Sequence, residues 1–105
     1  GLWAQLGLQE AGGGLRAPGD SVNLSCHLPR SVFEGYTVRW YRQAPEGSLE
    51  WVSSISFSSN VKTYGAAVEG RATASRDSYQ LQASLVLWGL HPSDSARYFC
   101  TVHTG

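Results

Sequence analysis

Apolar and polar positions alternate along most of the chain with a period of two. Val22, Leu24 and Cys26 are separated by Asn23 and Ser25, and Val38 and Trp40 by Arg39, with Tyr41, Arg42 and Gln43 extending the run. Leu49 to Ile55 resumes an extended pattern. Ala72 with Ala74, and Ala83 with Leu85 and Leu87, give two more rows, and Ala96, Tyr98 and Cys100 give the last. Successive side chains of an extended chain point to opposite faces, so each run predicts a strand with one face in a core. The breaks carry turn chemistry: Gly12-Gly13-Gly14, Pro18-Gly19, Pro29 with Gly35, Pro45-Glu46-Gly47, Ser58-Ser59-Asn60 and Arg76-Asp77-Ser78. Neither heptads nor a helical stripe occurs, and Leu90 to Asp94 has room only for a helical turn. The pattern predicts an all-β domain.

Composition narrows the function. The 105 residues are 42% hydrophobic and 15% charged, enough for one core and too few for a cofactor-binding half joined to a substrate half. Eight Lys and Arg balance eight Asp and Glu, which argues against a nucleic acid partner, because counterion release needs clustered cations. The longest apolar stretch, Leu85 to Leu90, falls far short of the roughly 18 to 20 residues that cross a bilayer.

Two constellations of reactive residue types fail on geometry. Cys26, His27, Cys100 and His103 are of zinc-ligand type, but Cys26 and His27 are neighbours on one strand, point to opposite faces and cannot share a tetrahedral ion. His91, Ser93 and Asp94 fall within one turn, where base, nucleophile and orienting acid cannot line up. No catalytic residue, metal or cofactor is expected.

Cys26 and Cys100 stand 74 positions apart at inward parity, with Trp40 fourteen residues after the first and Tyr98 two before the second. This spacing resembles the immunoglobulin sandwich. Longer segments, namely Gln9-Glu10-Ala11-Gly12-Gly13-Gly14-Leu15, Trp40-Tyr41-Arg42-Gln43-Ala44-Pro45, Leu49-Glu50-Trp51-Val52, Ser75-Arg76-Asp77 and Asp94-Ser95-Ala96-Arg97-Tyr98-Phe99-Cys100, resemble an antibody heavy-chain variable domain. Tyr64 to Thr73 is similar to the bird version of that domain.

The resemblance implies a V-type two-sheet Greek-key sandwich with its final strand missing. In it Cys26 and Cys100 form the inter-sheet disulfide, Trp40 packs on it, and Tyr98 makes a tyrosine corner. Arg71 and Asp94 match a pair that forms a salt bridge at the bottom of the sandwich. Residues 5–105 are expected to be the variable domain, incomplete until a joining segment supplies the strand that covers the sheet edge beside Cys100. Residues 1–4 precede the family's usual start, and Ala4 has the small side chain that a signal peptidase prefers before its cut, so they are expected to be a leader remnant. Ala72 and Ala74 are small for inward positions and predict a thinly filled core unless a neighbour occupies the space.

Pleat parity also defines surfaces. With Val38, Trp40, Tyr98 and Cys100 inward, Arg39, Tyr41, Gln43, Phe99 and Thr101 point out of the same sheet, and the family's pattern adds Leu49 and Trp51 to that face. Large apolar groups on a wet face mark an interface. The resemblance implies a light-chain variable domain as partner on Arg39, Tyr41, Gln43, Leu49, Trp51 and Phe99. Tyr41 departs from the usual Val and is similar to camelid single domains, whereas Leu49 and Trp51 are of the partner-binding type.

The resemblance also gathers three loops at one end as an antigen surface. They hold Glu34 and Tyr36, then Ser56, Phe57, Ser58, Ser59, Asn60 and Lys62, then Thr101, Val102, His103 and Thr104. Tyr36 and Phe57 are the candidate aromatic anchors, while Phe33 and Val38 are expected beneath the first loop. Pro29 and Arg30 replace the small residues usual there, so that loop is not inferred by analogy. Asn23-Leu24-Ser25 is a glycan sequon with Asn23 at outward parity.

The function expected is noncovalent antigen recognition by an immunoglobulin heavy-chain variable domain, secreted or carried on a plasma-membrane receptor. Two alternatives share the fold: a heavy-like variable domain of a T-cell receptor delta chain, and a structural adhesion module whose patch joins chains and whose loops bind nothing.

Overall fold

A computed structural model of the chain describes residues 9–10, 18–33, 35–58 and 61–104; the side chains at 9, 10, 32, 33 and 104 are outside the description. Within these residues the strands are β1 (Gln9–Glu10), β2 (Val22–His27), β3 (Tyr36–Gln43), β4 (Leu49–Ile55), β5 (Lys62–Tyr64), β6 (Ala72–Asp77), β7 (Gln82–Leu87) and β8 (Arg97–Thr104). A short helix, α1, spans Arg30–Phe33, and a 3-10 turn spans Pro92–Asp94. The latter is the helical turn predicted between Leu90 and Asp94. The expectations for residues 1–4 and for Glu34, Ser59 and Asn60 fall outside the described residues, as does that for the Thr104 side chain.

The strands form two antiparallel sheets, one ordered β1-β8-β3-β4-β5 and the other β2-β7-β6. The chain changes sheets between β1 and β2, between β2 and β3, between β5 and β6, and between β7 and β8, so neither sheet is a simple meander. Alternation is the cause: β2 and β7 read buried at every second position, and Leu24, Cys26, Ala83, Leu85 and Leu87 form one wall of the core. Val38, Trp40, Ile55, Cys100 and Val102 form the other. The Cys26–Cys100 disulfide joins β2 to β8 between the sheets, and Trp40 is fully buried in the same core. Ala74 is fully buried, and its backbone N–H donates to the Tyr64 hydroxyl at 2.9 Å, with Tyr64 packed against the core. An aromatic from β5 thus stands beside the small side chain of β6.

Three local features depart from a uniform pleat. A register shift at Trp40/Tyr41 sets Trp40 opposite Ser53 but Tyr41 opposite Trp51. The β4 side of this bulge changes parity, so Leu49 and Trp51 face out while Ser53 and Ile55 face in, and Val52 is buried as well. Second, β6 continues through Arg76 and Asp77, which alone predict a turn. Third, β1 pairs antiparallel with part of the β8 edge that was expected to be open, Gln9 with Cys100 and Glu10 with Phe99. Backbone donors and acceptors at a sheet edge seek partners, and the early segment supplies them.

Candidate functional site

The ends of β2, β4, β6 and β8 and the starts of β3, β5 and β7 lie at one end of the sandwich, as the pairings Tyr36 with Thr104, Val38 with Ile55, Ile55 with Lys62 and His27 with Gln82 require. The connections leaving these ends form a loop-built surface. Arg76 ties them together: its Nη1 donates to the Tyr36 carbonyl at 2.7 Å, to that of Ser56 at 3.0 Å and to that of Ile55 at 3.4 Å. Burial lowers the Arg76 pKa, but guanidinium remains charged at neutral pH because its unperturbed value lies so far above it. One cation from β6 therefore sets the spacing of the first two loops. Arg76→Ala is expected to cost about 2 to 3 kcal/mol by leaving part-buried carbonyls without their charged donor. Amide exchange at Ser56 and Val61 should quicken with it; an unchanged denaturation midpoint would contradict this.

The second loop is stapled by its first residue. Ser56 N–H donates to the Val61 carbonyl at 2.9 Å, the Val61 N–H donates back to Ser56 Oγ at 3.1 Å, and Ser58 Oγ lies 3.2 Å from Ser56 Oγ. Ser56 is committed to shape, while Phe57, Ser58, Val61 and Lys62 are exposed. Phe57 thus stands free at the tip, whereas Tyr36, the other candidate anchor, is half-buried on β3 against the core. Val38 is buried in the core.

The third segment differs from expectation. Thr101 and Val102, expected on the antigen surface, are buried, because β8 does not end at Cys100 but continues paired to β3 through Thr104. Val102 continues the inward row of Tyr98 and Cys100. His103 is half-buried, with its Nε2 buried and unpartnered, and burial together with the nearby Arg39 charge lowers its pKa. A turn that was not predicted to take part joins this end instead. Asp77 Oδ1 accepts from the Tyr79 N–H at 2.9 Å and the Gln80 N–H at 3.3 Å, and Leu81 adopts a positive φ of 54°. This rigid turn holds Tyr79 with 95% of its surface exposed. An aromatic inside turn chemistry between two inward rows was the available signal.

The second surface is the outer face of the five-stranded sheet. Register sets Tyr41 opposite both Trp51 and Phe99, and Gln43 opposite Leu49. Leu49 is 47% and Trp51 37% exposed, Tyr41 is half-buried and Arg39 exposed. Trp51 Nε1–H donates to Ser54 Oγ at 2.9 Å, which fixes the indole while leaving its apolar surface outward. Phe99, expected as part of the exposed patch, is only 9% exposed, and the Arg97 guanidinium lies 5.2 Å from its ring centroid. Gln43 Nε2 donates to the Gly47 carbonyl at 3.2 Å, in the β3–β4 turn. Gly65 carries the chain away from β5 close under this face: a Cβ there would meet the Trp51 carbonyl at 2.8 Å.

At the opposite end of the sandwich is a charge cluster built on Asp94. Its Oδ1 accepts from Arg42 Nη1 at 2.9 Å and Arg71 Nη2 at 3.1 Å, and its Oδ2 from Arg71 Nη1 at 2.9 Å and the His91 N–H at 2.8 Å. The Tyr98 hydroxyl donates to the Asp94 carbonyl at 2.7 Å, four residues back along the chain. The expected pair Arg71 and Asp94 is brought together, and Arg42 joins it. Inward parity shared with Trp40 was the signal for Arg42, since an inward cation requires a partner.

Two sheets bolted by a disulfide, a bottom end closed by charge pairs and a top end built from connections describe a recognition scaffold. Among the described residues the two cysteine sulfurs are bonded to each other and Asp94 is held by arginines. The chain belongs to the immunoglobulin V-set family, whose domain matches residues 15–105. Domains of this family generally pair with other domains and bind ligands without catalysing reactions, and those with a disulfide are typically extracellular. Among the described residues no helix is long and apolar enough to cross a membrane.

Proposed function

We propose that the chain is the variable domain of an immunoglobulin heavy chain, acting outside the cell by noncovalent recognition of antigen. The observation that carries this reading is the outward row of Tyr41, Leu49 and Trp51 on the five-stranded sheet, together with a loop surface at one end of the sandwich that bears Phe57 and Tyr79. A scaffold with apolar groups on one flank and aromatic and short polar groups at its tip suits a paired receptor: the flank packs against a second variable domain and the tip contacts ligand. The heavy-type segments Trp40–Pro45 and Leu49–Val52 favour a light-chain variable domain as the partner.

The test is co-expression with a light-chain variable domain and measurement of mass in solution. A one-to-one complex is expected. Trp51→Ala combined with Leu49→Ser should weaken it by at least about 2 kcal/mol, roughly thirty-fold in Kd, because buried aromatics at interface centres carry most of the binding. A monomer under all conditions sinks the pairing. Selective pairing with a T-cell receptor variable domain assigns the chain to that receptor instead.

A further inference from the structure

We propose that Asn23 carries an N-linked glycan whose first sugar packs on the exposed ring of Trp88, and that the glycan covers the outer face of the three-stranded sheet. The sequon Asn23-Leu24-Ser25 lies within β2. Leu24 is buried in the core, so Asn23 and Ser25 project from the opposite face, and both are exposed. An attached sugar therefore requires no rearrangement of the strand. The inference rests on the reading of the chain as exported, since the modifying machinery works in the secretory pathway.

What makes this more than a sequence match is the neighbour the register supplies. Asn23 pairs with Val86, and beyond Val22–Leu87 the two segments stay joined with a shift of register at Gly89, whose φ is positive: Gly19 N–H donates to the Leu90 carbonyl at 2.9 Å and Leu90 N–H to that of Asp20 at 3.1 Å. One further step of the Val22–Leu87 register, before that shift, sets Trp88 opposite Ser21, diagonally from Asn23 and on the same face as Val86. Trp88 N–H also donates to the Arg71 carbonyl at 2.9 Å, which holds that backbone in the sheet.

Diagonal neighbours on one face lie within reach of aromatic and long side chains. Trp88 is 41% exposed, and Ser25, Ser84 and Thr73 on this face are short and uncharged. Arg71 is the cross-strand neighbour of Trp88 on β6, but its guanidinium is turned onto Asp94 and the Trp88 and Gly89 carbonyls, so the indole keeps an exposed apolar surface among short polar side chains. The C–H face of an N-acetylhexosamine is its chemical complement, because weakly positive C–H bonds settle on the electron-rich ring. The glycan sits on the face away from Tyr41, Leu49 and Trp51, so it leaves that surface free.

In the modification, Asn23 Nδ2 displaces a lipid pyrophosphate from C1 of a lipid-linked oligosaccharide. The N–C1 bond forms as the C1–O bond to phosphate breaks, the amide gives one proton to solvent, and nothing is oxidised or reduced.

The chain behind a secretion signal in cultured vertebrate cells tests this. Enzymatic deglycosylation in heavy-oxygen water should leave a labelled aspartate at position 23, a label lost in Asn23→Gln. After trimming to one N-acetylglucosamine, the acetyl methyl resonance should lie upfield of its position in the unfolded glycopeptide. Trp88→Phe should reduce that displacement and Trp88→Ala abolish it, and the loss of thermal stability on deglycosylation should follow the same order, largest in wild type and absent in Trp88→Ala. An unmodified Asn23 in secreted, disulfide-bonded protein overturns the proposal, as does an acetyl resonance indifferent to Trp88→Ala. Neither outcome bears on pairing through the opposite sheet, which is measured separately.

Discussion

Reducing the Cys26–Cys100 bond, or replacing both cysteines with alanine, is expected to remove about 4 kcal/mol of stability. The bond closes a segment of 74 positions, and in the chain-entropy description a loop of that length withholds roughly 4 to 5 kcal/mol of freedom from the unfolded chain. Single domains have only about 5 to 15 kcal/mol in total. One covalent bond between β2 and β8 therefore supplies a large share of the margin, from about a quarter to about four fifths of it.

The disulfide acts on the unfolded state, which dictates how the loss should look. Urea melts of the reduced protein should show a lower midpoint together with a steeper dependence on denaturant, because the released chain exposes more surface. The double alanine variant should fall a little further, since it also leaves space beside Trp40. Equal midpoints for oxidised and reduced protein would show that packing around Trp40 alone holds the sheets together.

Much of this architecture is legible in the sequence because the sheets are one-sided. Wherever a strand has one wet face, as β2, β7 and the first half of β3 do, alternation names the inward residues directly: Leu24, Cys26, Val38, Trp40, Leu85 and Leu87 all lie in the core. Parity fails where the backbone itself breaks period. The shift opposite Trp40/Tyr41 inverts β4 between Trp51 and Ser53, and no alternating pattern contains that information.

Strand length is equally hidden. Thr101 and Val102 read as the start of a loop because no turn residue or charge marks them, yet pairing to β3 carries β8 to Thr104. The positions most exposed or most buried against type were the harder ones. Arg76 looks like turn chemistry but bonds two carbonyls of the other sheet and one of the loop after β4, a contact of two residues 40 positions apart in the case of Tyr36. Such long-range partners follow from the fold and not from local composition. The pair Arg71 and Asp94 was legible only through family resemblance, whereas Arg42 could have been inferred from its parity alone.

Asp94→Ala is expected to cost about 3 to 5 kcal/mol, the effect of stranding buried charges by removing one partner. Arg42 and the Asp94 carboxylate are both buried, and Arg71 is mostly covered. Acceptors remain after the change: Arg42 keeps Glu50 at 2.6 Å and the Tyr98 hydroxyl at 3.1 Å, and Arg71 keeps the carbonyls of Ala67, Trp88 and Gly89. Glu50 is half exposed, however, and the other acceptors are neutral, so none replaces a buried anion shared by two cations.

The same cluster sets an acid limit. Burial opposes ionisation of Asp94, but hydrogen bonds from Arg71, from the His91 N–H and from Arg42 outweigh it and hold the carboxyl at about 2. An unfolded aspartate titrates near ~3.9. The folded value is depressed, so the contribution is complete above the unfolded value and is lost as pH falls through about 2. Across that window the group should forfeit about 2.5 kcal/mol. Asp94→Asn, which keeps the shape and removes the charge, should be less stable than wild type at neutral pH and converge on it toward the acid end. Parallel stability curves for the two proteins from pH 5 downward would place the acid sensitivity elsewhere and sink the assignment.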